Sequence, residues 1–181
     1  FGGVGDVDRE LAETREHFLK LAELAAEHEV RFVYQVHFKT LLASASSLRP
    51  MLEGIDPAHV GGMLDGCNMV IEGMEDWRKS CRLIGKHLAA FGIKDARWFQ
   101  DPEQIDTASK GWKFEMVPCT EGMTNWEQVG LGLKDVGFDG VLVFMPFYRG
   151  YQEDAEKLAK VVKRERDYLR EWMDLDEAAA S

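Results

Sequence analysis

Cysteine is scarce in these 181 residues. Only Cys67, Cys81 and Cys119 occur, and none belongs to a CxxC pair. An odd and scattered set excludes a disulfide framework, so a reducing, cytoplasmic setting is the expectation. Long apolar runs are also missing. The longest near the end, residues 141–147, falls far short of the roughly 20 residues a membrane span needs,. Basic charge is in deficit: 22 Lys and Arg stand against 32 Asp and Glu, a net charge of -10. That excludes a general binder of nucleic acid or anionic membrane, which needs a basic surface. Residues 3–15 are polar and acidic, unlike a secretory leader,. The chain opens on Phe1 rather than Met, as a processed, truncated or excised piece would. No HExxH zinc pattern occurs, since Phe32 stands four residues after His28,. Low-complexity linkers and repeats are absent too, so residues 1–181 read as one domain.

What is present suits a packed domain, because 45% of the residues are hydrophobic. Asp6 or Asp8 can cap a helix running to about His28, with Leu11, Phe18, Leu21, Ala22 and Ala25 on one face,. Residues 30–37 (VRFVYQVH) read as a strand buried on both sides,. A helix is predicted over 41–52, a short strand over 60–64, a helix over 72–87 and a third strand over 88–94,. Residues 98–123 show no clear period and hold two prolines, which reads as a long loop,. Asn125 caps a helix that Gly137 stops; a turn at 138–140 then leads into a strand over 141–147,. The last helix carries Leu158, Val161, Val162, Leu169 and Trp172 on its apolar stripe, and the EAAAS tail reads as frayed,. Alternating apolar strands and helices make an α/β chain with a parallel sheet and helices outside it.

Four segments, in this order, resemble a known family. They are VHFKTLLASASS, VGGMLDGCNMVIEG, FGIKDARW and TEGMTNWEQVGLGLKDVGFDGVLVFM. They are similar to strand units five to eight of the sugar phosphate isomerase/epimerase family, the xylose isomerase-like (β/α)8 TIM barrels, and FGGVGD is similar to the tail of strand four. The resemblance implies a half barrel or truncated barrel, since a whole one takes about 250 residues. It implies action on a small carbohydrate or polyol at the C-terminal mouth of the strands. It also implies a divalent metal, manganese, magnesium or zinc, held by Glu, Asp, His and Glu from successive strands.

Here those four positions are Gln35, Asp65, Gly92 and Met145. The implied metal ligands reduce to Asp65 and Gln35, and hard cations need several charged oxygens. Neither Gln35 nor Met145 can act as a base. Substrate contacts are expected from His37, Asn68, Lys94, Asp95 and Trp98. Bland roles stand beside these: Asp65 as a helix cap, Asn68 as a turn residue, Lys94 and Asp95 as an ion pair, Trp98 and Trp112 as packing for the long loop. Tyr148 and Arg149 follow the last strand, where barrels of this kind bind phosphate. Cys67 can be a nucleophile only with His37 in reach, and otherwise is a structural thiol. Three functions follow: a sugar isomerase or epimerase, a carbohydrate-binding pseudoenzyme, or a half barrel completed by a second copy or by a complementary N-terminal half-barrel chain.

Overall fold

A computed structural model of the chain describes residues 5–151 and 153–173. The start of the FGGVGD segment and the EAAAS tail lie outside the described residues.

The first helix, α1 (Val7–Glu27), begins where Asp6 accepts the amide of Arg9 at 3.2 Å. Strand β1 is Phe32–Gln35, α2 is Ala45–Leu52, β2 is Val60–Asp65 and α3 is Gly66–Ile71. Then come α4 (Trp77–Ile84), β3 (Leu88–Ile93), β4 (Asp95–Gln100), β5 (Trp112–Val117), α5 (Trp126–Asp135), β6 (Val141–Phe144) and α6 (Ala155–Met173). Four strands form one parallel sheet in the order β1-β2-β3-β6. The helices pack on its outer face in sequence, α1 on α2, α2 on α4, α4 on α5 and α5 on α6. Phe18, Leu48, Leu64, Ile84, Phe91 and Trp126 belong to the core between the two layers. Among the described residues no helix is long and apolar enough to cross a membrane.

Several boundaries depart from the sequence reading, for local reasons. The helix expected from residue 41 starts at Ala45, because Ser44 and Ser47 form a reciprocal capping box,. The Glu75 carboxylate, far along the chain, accepts the amides of Ala45 and Ser46 as well. At the other end of α2, Arg15 donates to the carbonyls of Met51 and Glu53, partners that the last turn of a helix otherwise lacks,. The helix expected over 72–87 begins later, as α4 at Trp77, and a separate short helix, α3, precedes that range. Chain reversal through Gly73 and Met74, both at positive φ, ends α3, and Asp76 caps α4 by accepting the amide of Lys79 at 2.7 Å,. The last sheet strand ends at Phe144 rather than 147.

The largest correction concerns residues 98–123. This stretch is not a loop throughout. Strands β4 and β5 make an antiparallel hairpin, separate from the main sheet, with Trp98 opposite Phe114 and Arg97 opposite Glu115. The Trp98 and Phe114 rings meet edge to face, and Arg97 pairs with Glu115, so the hairpin has favourable cross-strand pairs on both faces,. On α6, Trp172 is half exposed and leaves the predicted stripe, while Glu165 is wholly buried in its place.

Candidate active site

The C-terminal ends of the parallel strands bring the four expected ligand positions together. Asp65 closes β2 and is wholly buried. It has two tasks. One carboxylate oxygen, Oδ1, caps α3 by accepting the amide of Asn68 at 2.8 Å. The other, Oδ2, accepts the amide nitrogen of Gln35, which is the last residue of β1, at 2.9 Å. The same Oδ2 lies 3.3 Å from Nζ of Lys94, the residue after β3. Lys94 is itself only 4% exposed. Burial pushes the Asp65 carboxyl above the usual aspartate range, against the opposing pull of Lys94 and of the hydrogen bonds,.

Gly92 pairs with Asp65 across β2 and β3. A Cβ built there would lie 2.6 Å from Met145 Cε, 2.8 Å from Asp65 Oδ2 and 3.0 Å from Met63 Cε. The place for a side chain at 92 is therefore already filled by methionine methyl groups. Met145 also takes a long contact, 3.9 Å, from the Gln35 amide nitrogen to its sulfur.

These residues do not fit a divalent metal. The donors are one carboxylate, one amide that turns its NH2 inward, and a thioether, with a lysine ammonium on the carboxylate. Hard cations take several oxygens and are repelled by an adjacent ammonium. Among the described residues, no three of His, Cys, Asp and Glu gather in a metal-holding group.

The remaining candidates separate. Asn68 is wholly buried; its side-chain nitrogen donates to the carbonyl of Val36 at 3.0 Å, tying α3 to the end of β1. His37 is exposed, its Nδ1 2.9 Å from the carbonyl of Phe38, and its ring stacks on that of Phe38. Trp98 donates its indole N–H to the carbonyl of Val70 at 3.1 Å, which packs the hairpin on α3. With Trp112 and Phe114 it lines a groove of about 440 Å³ that Lys39 and Glu72 flank.

Asp95 does not pair with its neighbour Lys94. It is wholly buried and holds down the segment that follows β5. It accepts the amide of Ala96 at 2.8 Å, the hydroxyl of Thr124 at 2.8 Å and the indole N–H of Trp126 at 3.0 Å. Burial raises its carboxyl to about 6, held back by those donors,. Gly122 makes the closure possible, because a Cβ there would collide with the Asp95 carboxylate.

Cys67 is wholly buried and burial pushes its thiol up to about 12, which is the structural reading rather than the nucleophilic one,. Tyr148 is buried as well and donates to Glu165 at 2.5 Å, while Glu165 also accepts the amide of Cys119 at 2.9 Å. Sequence reasoning missed Glu165. The signal was its place four residues after Val161 and four before Leu169, on the apolar stripe itself.

Comparison with known proteins agrees with the fold. The family model described as xylose isomerase-like TIM barrel matches residues 1–172. No curated protein matches the chain. Solved structures match at low identity. D-psicose 3-epimerase from Clostridium cellulolyticum H10, solved with D-tagatose, is 20% identical, with a TM-score of 0.65 over 96% of this chain and 58% of its own. The IOLI protein with a binding zinc atom is 16% identical, with a TM-score of 0.72 over 93% of this chain and 59% of its own. A xylose isomerase-like TIM barrel protein from Mycobacterium smegmatis, in complex with magnesium, is 18% identical, with a TM-score of 0.64 over 96% of this chain and 53% of its own. The chain thus spans somewhat more than half the length of the structures it matches, and the likeness is one of fold.

Proposed function

We propose, from the premise that the chain belongs to the xylose isomerase-like TIM barrel family, that it holds a small carbohydrate or polyol at the C-terminal mouth of its parallel strands. The observation that carries this reading is the convergence of Gln35, Asp65, Gly92, Lys94 and Met145 on one place at the strand ends. In (β/α) barrels that end of the strands is where ligands meet the protein. Its polar groups, an amide and a carboxylate–ammonium pair, suit hydroxyl and carbonyl oxygens.

Sugar epimerases and isomerases are similar in fold, but proton transfer between adjacent carbons needs bases on either side of the sugar. Gln35 and Met145 cannot serve, and Asp65 is committed to Lys94 and to its cap. The chain's own residues therefore support binding rather than turnover.

Calorimetric titration with D-fructose, D-tagatose and D-psicose, beside an assay in deuterated water, tests this. Saturable binding that weakens in Gln35→Ala, with no deuterium entering the sugar, is the expected result. Deuterium exchange by the chain alone would replace binding with catalysis, and no binding of any ketose would remove the reading.

A second reading is favoured by the sheet edges. Among the described residues β1 and β6 each have one neighbour, and Val33 and Val141 are 38% and 63% exposed. Open edges invite further strands, here from a second copy or a complementary half-barrel chain. Light scattering that finds only monomer over a wide concentration range would count against it.

A further inference from the structure

The place where the family's metal would lie is not simply vacated but rebuilt. The chain has no imidazole at Gly92, and two methyl groups, of Met145 and Met63, stand within 3.0 Å of where its Cβ would begin. The carboxylate of Asp65 remains, wholly buried, and an unpaired buried carboxylate would be costly. Its counter-charge is Lys94 Nζ at 3.3 Å, which is nearly as buried, and the Gln35 amide flanks the same oxygen. The pair sums to zero charge, so nothing there calls for a divalent ion.

We propose that Lys94 is the resident cation of this mouth. Its ammonium takes the part of the divalent metal, neutralising Asp65 and offering its remaining N–H donors to an oxygen of a neutral ligand. The second half of this statement rests on the carbohydrate reading above; the first half does not. An ammonium carries three donors, of which Asp65 engages one, and the ring of Phe147 lies 5.9 Å from the same nitrogen,. A compact point charge of that kind grips one carbonyl or hydroxyl oxygen and cannot chelate two in fixed geometry, as a metal does. The ligand class is accordingly an uncharged, carbonyl-bearing polyol, bound without added metal.

The full chain is dialysed against Mn²⁺ and against Zn²⁺, then assayed for bound metal and for thermal melting with and without each ion. Sub-stoichiometric metal and unchanged melting are expected; one equivalent of bound metal with raised melting overturns the proposal. Lys94→Ala should melt lower by about 5 °C or more and recover with propylammonium, which replaces the missing atoms, but not with sodium at equal ionic strength or with Mn²⁺. Should that variant fail to fold, Lys94→Met is compared with Lys94→Met combined with Asp65→Asn. The double variant should regain most of the lost melting temperature, and an equally low melting point would overturn the charge pairing. Ketose affinity in Lys94→Met should fall about tenfold or more. These melting and metal readouts require no sugar, so failure of ketose binding alone removes the carbohydrate reading and leaves the internal cation standing.

Discussion

Asp65 and Asp95 are both wholly buried, Asp65 as the last residue of β2 and Asp95 as the first of β4, two residues past β3, yet they are satisfied in opposite ways. Asp65 has a cation. Its partners come from β1 and from the end of β3, and one oxygen still faces Lys94 and Gln35 at the mouth. Asp95 has no cation among its hydrogen-bond partners. It is surrounded by neutral donors from Ala96, Thr124 and Trp126, so that both oxygens are spent inside the fold. Charge pairing leaves spare donors for a ligand, whereas a full shell of neutral donors leaves nothing to offer. The comparison separates a site residue from a structural one more sharply than burial does, since burial is the same for both.

The largest expected effect lies on the structural side. Asp95→Ala would strand the Ala96 amide, the Thr124 amide (3.2 Å from Asp95 Oδ1), the Thr124 hydroxyl and the Trp126 indole N–H, at a cost of about 4–5 kcal/mol in urea unfolding. Next comes Asp65→Asn, which keeps an oxygen to cap α3 but leaves the Lys94 ammonium buried without its counter-charge. It should cost about 3 kcal/mol by the same measurement. If the two variants were equally mild, the contrast between neutral and charged satisfaction would fail.

A pH series sharpens the contrast further. The carboxyl of Asp95 is raised from 3.8 to about 6 in the fold. The folded chain therefore binds this proton at a pH where the unfolded chain does not. Stability contributed by this group rises as pH falls from above 6 towards 4, by at most about 3 kcal/mol, and is level below that. Asp95→Asn should lack this rise, measured against wild type by urea unfolding between pH 7 and pH 4. The Thr124 hydroxyl is foremost among the groups that hold the Asp95 value down. Thr124→Val should thus shift the window to higher pH and cost about 1 kcal/mol at neutral pH. The smallest effect on stability belongs to His37→Ala, within about 0.5 kcal/mol because the ring is exposed,. A weaker ketose titration in that variant would give His37 a place at the mouth, and an unchanged one would leave it outside.

Much of the architecture was legible. Parallel strands read as short apolar runs, and Asp6, Asp65 and Asn125 stand where helix caps belong. The hairpin was not legible, because eleven residues with Pro102 and Gly111 separate Gln100 from Trp112 and hide the pairing of DARWFQ with WKFEMV. The start of α4 at Trp77 rather than 72 had a signal, an acidic pair at 75–76 after Gly73, that helical periodicity alone passes over. At the candidate site, the missing Glu, His and Glu positions were visible by inspection; the methyl groups filling the space at Gly92 were not.

The sequence by itself determined the alternation of the parallel strands with helices, which follows from residue identity and spacing, and, through the family resemblance, that the four implied ligand positions hold one carboxylate, Asp65. Which charge neutralises which was decided only by the tertiary structure. Lys94 and Asp95 are adjacent in the chain and would read as a pair, but successive residues of an extended segment point to opposite sides. The register that sets Asp65 beside Gly92 brings Lys94, two residues further on, onto the Asp65 carboxylate and sends Asp95 to Thr124 and Trp126.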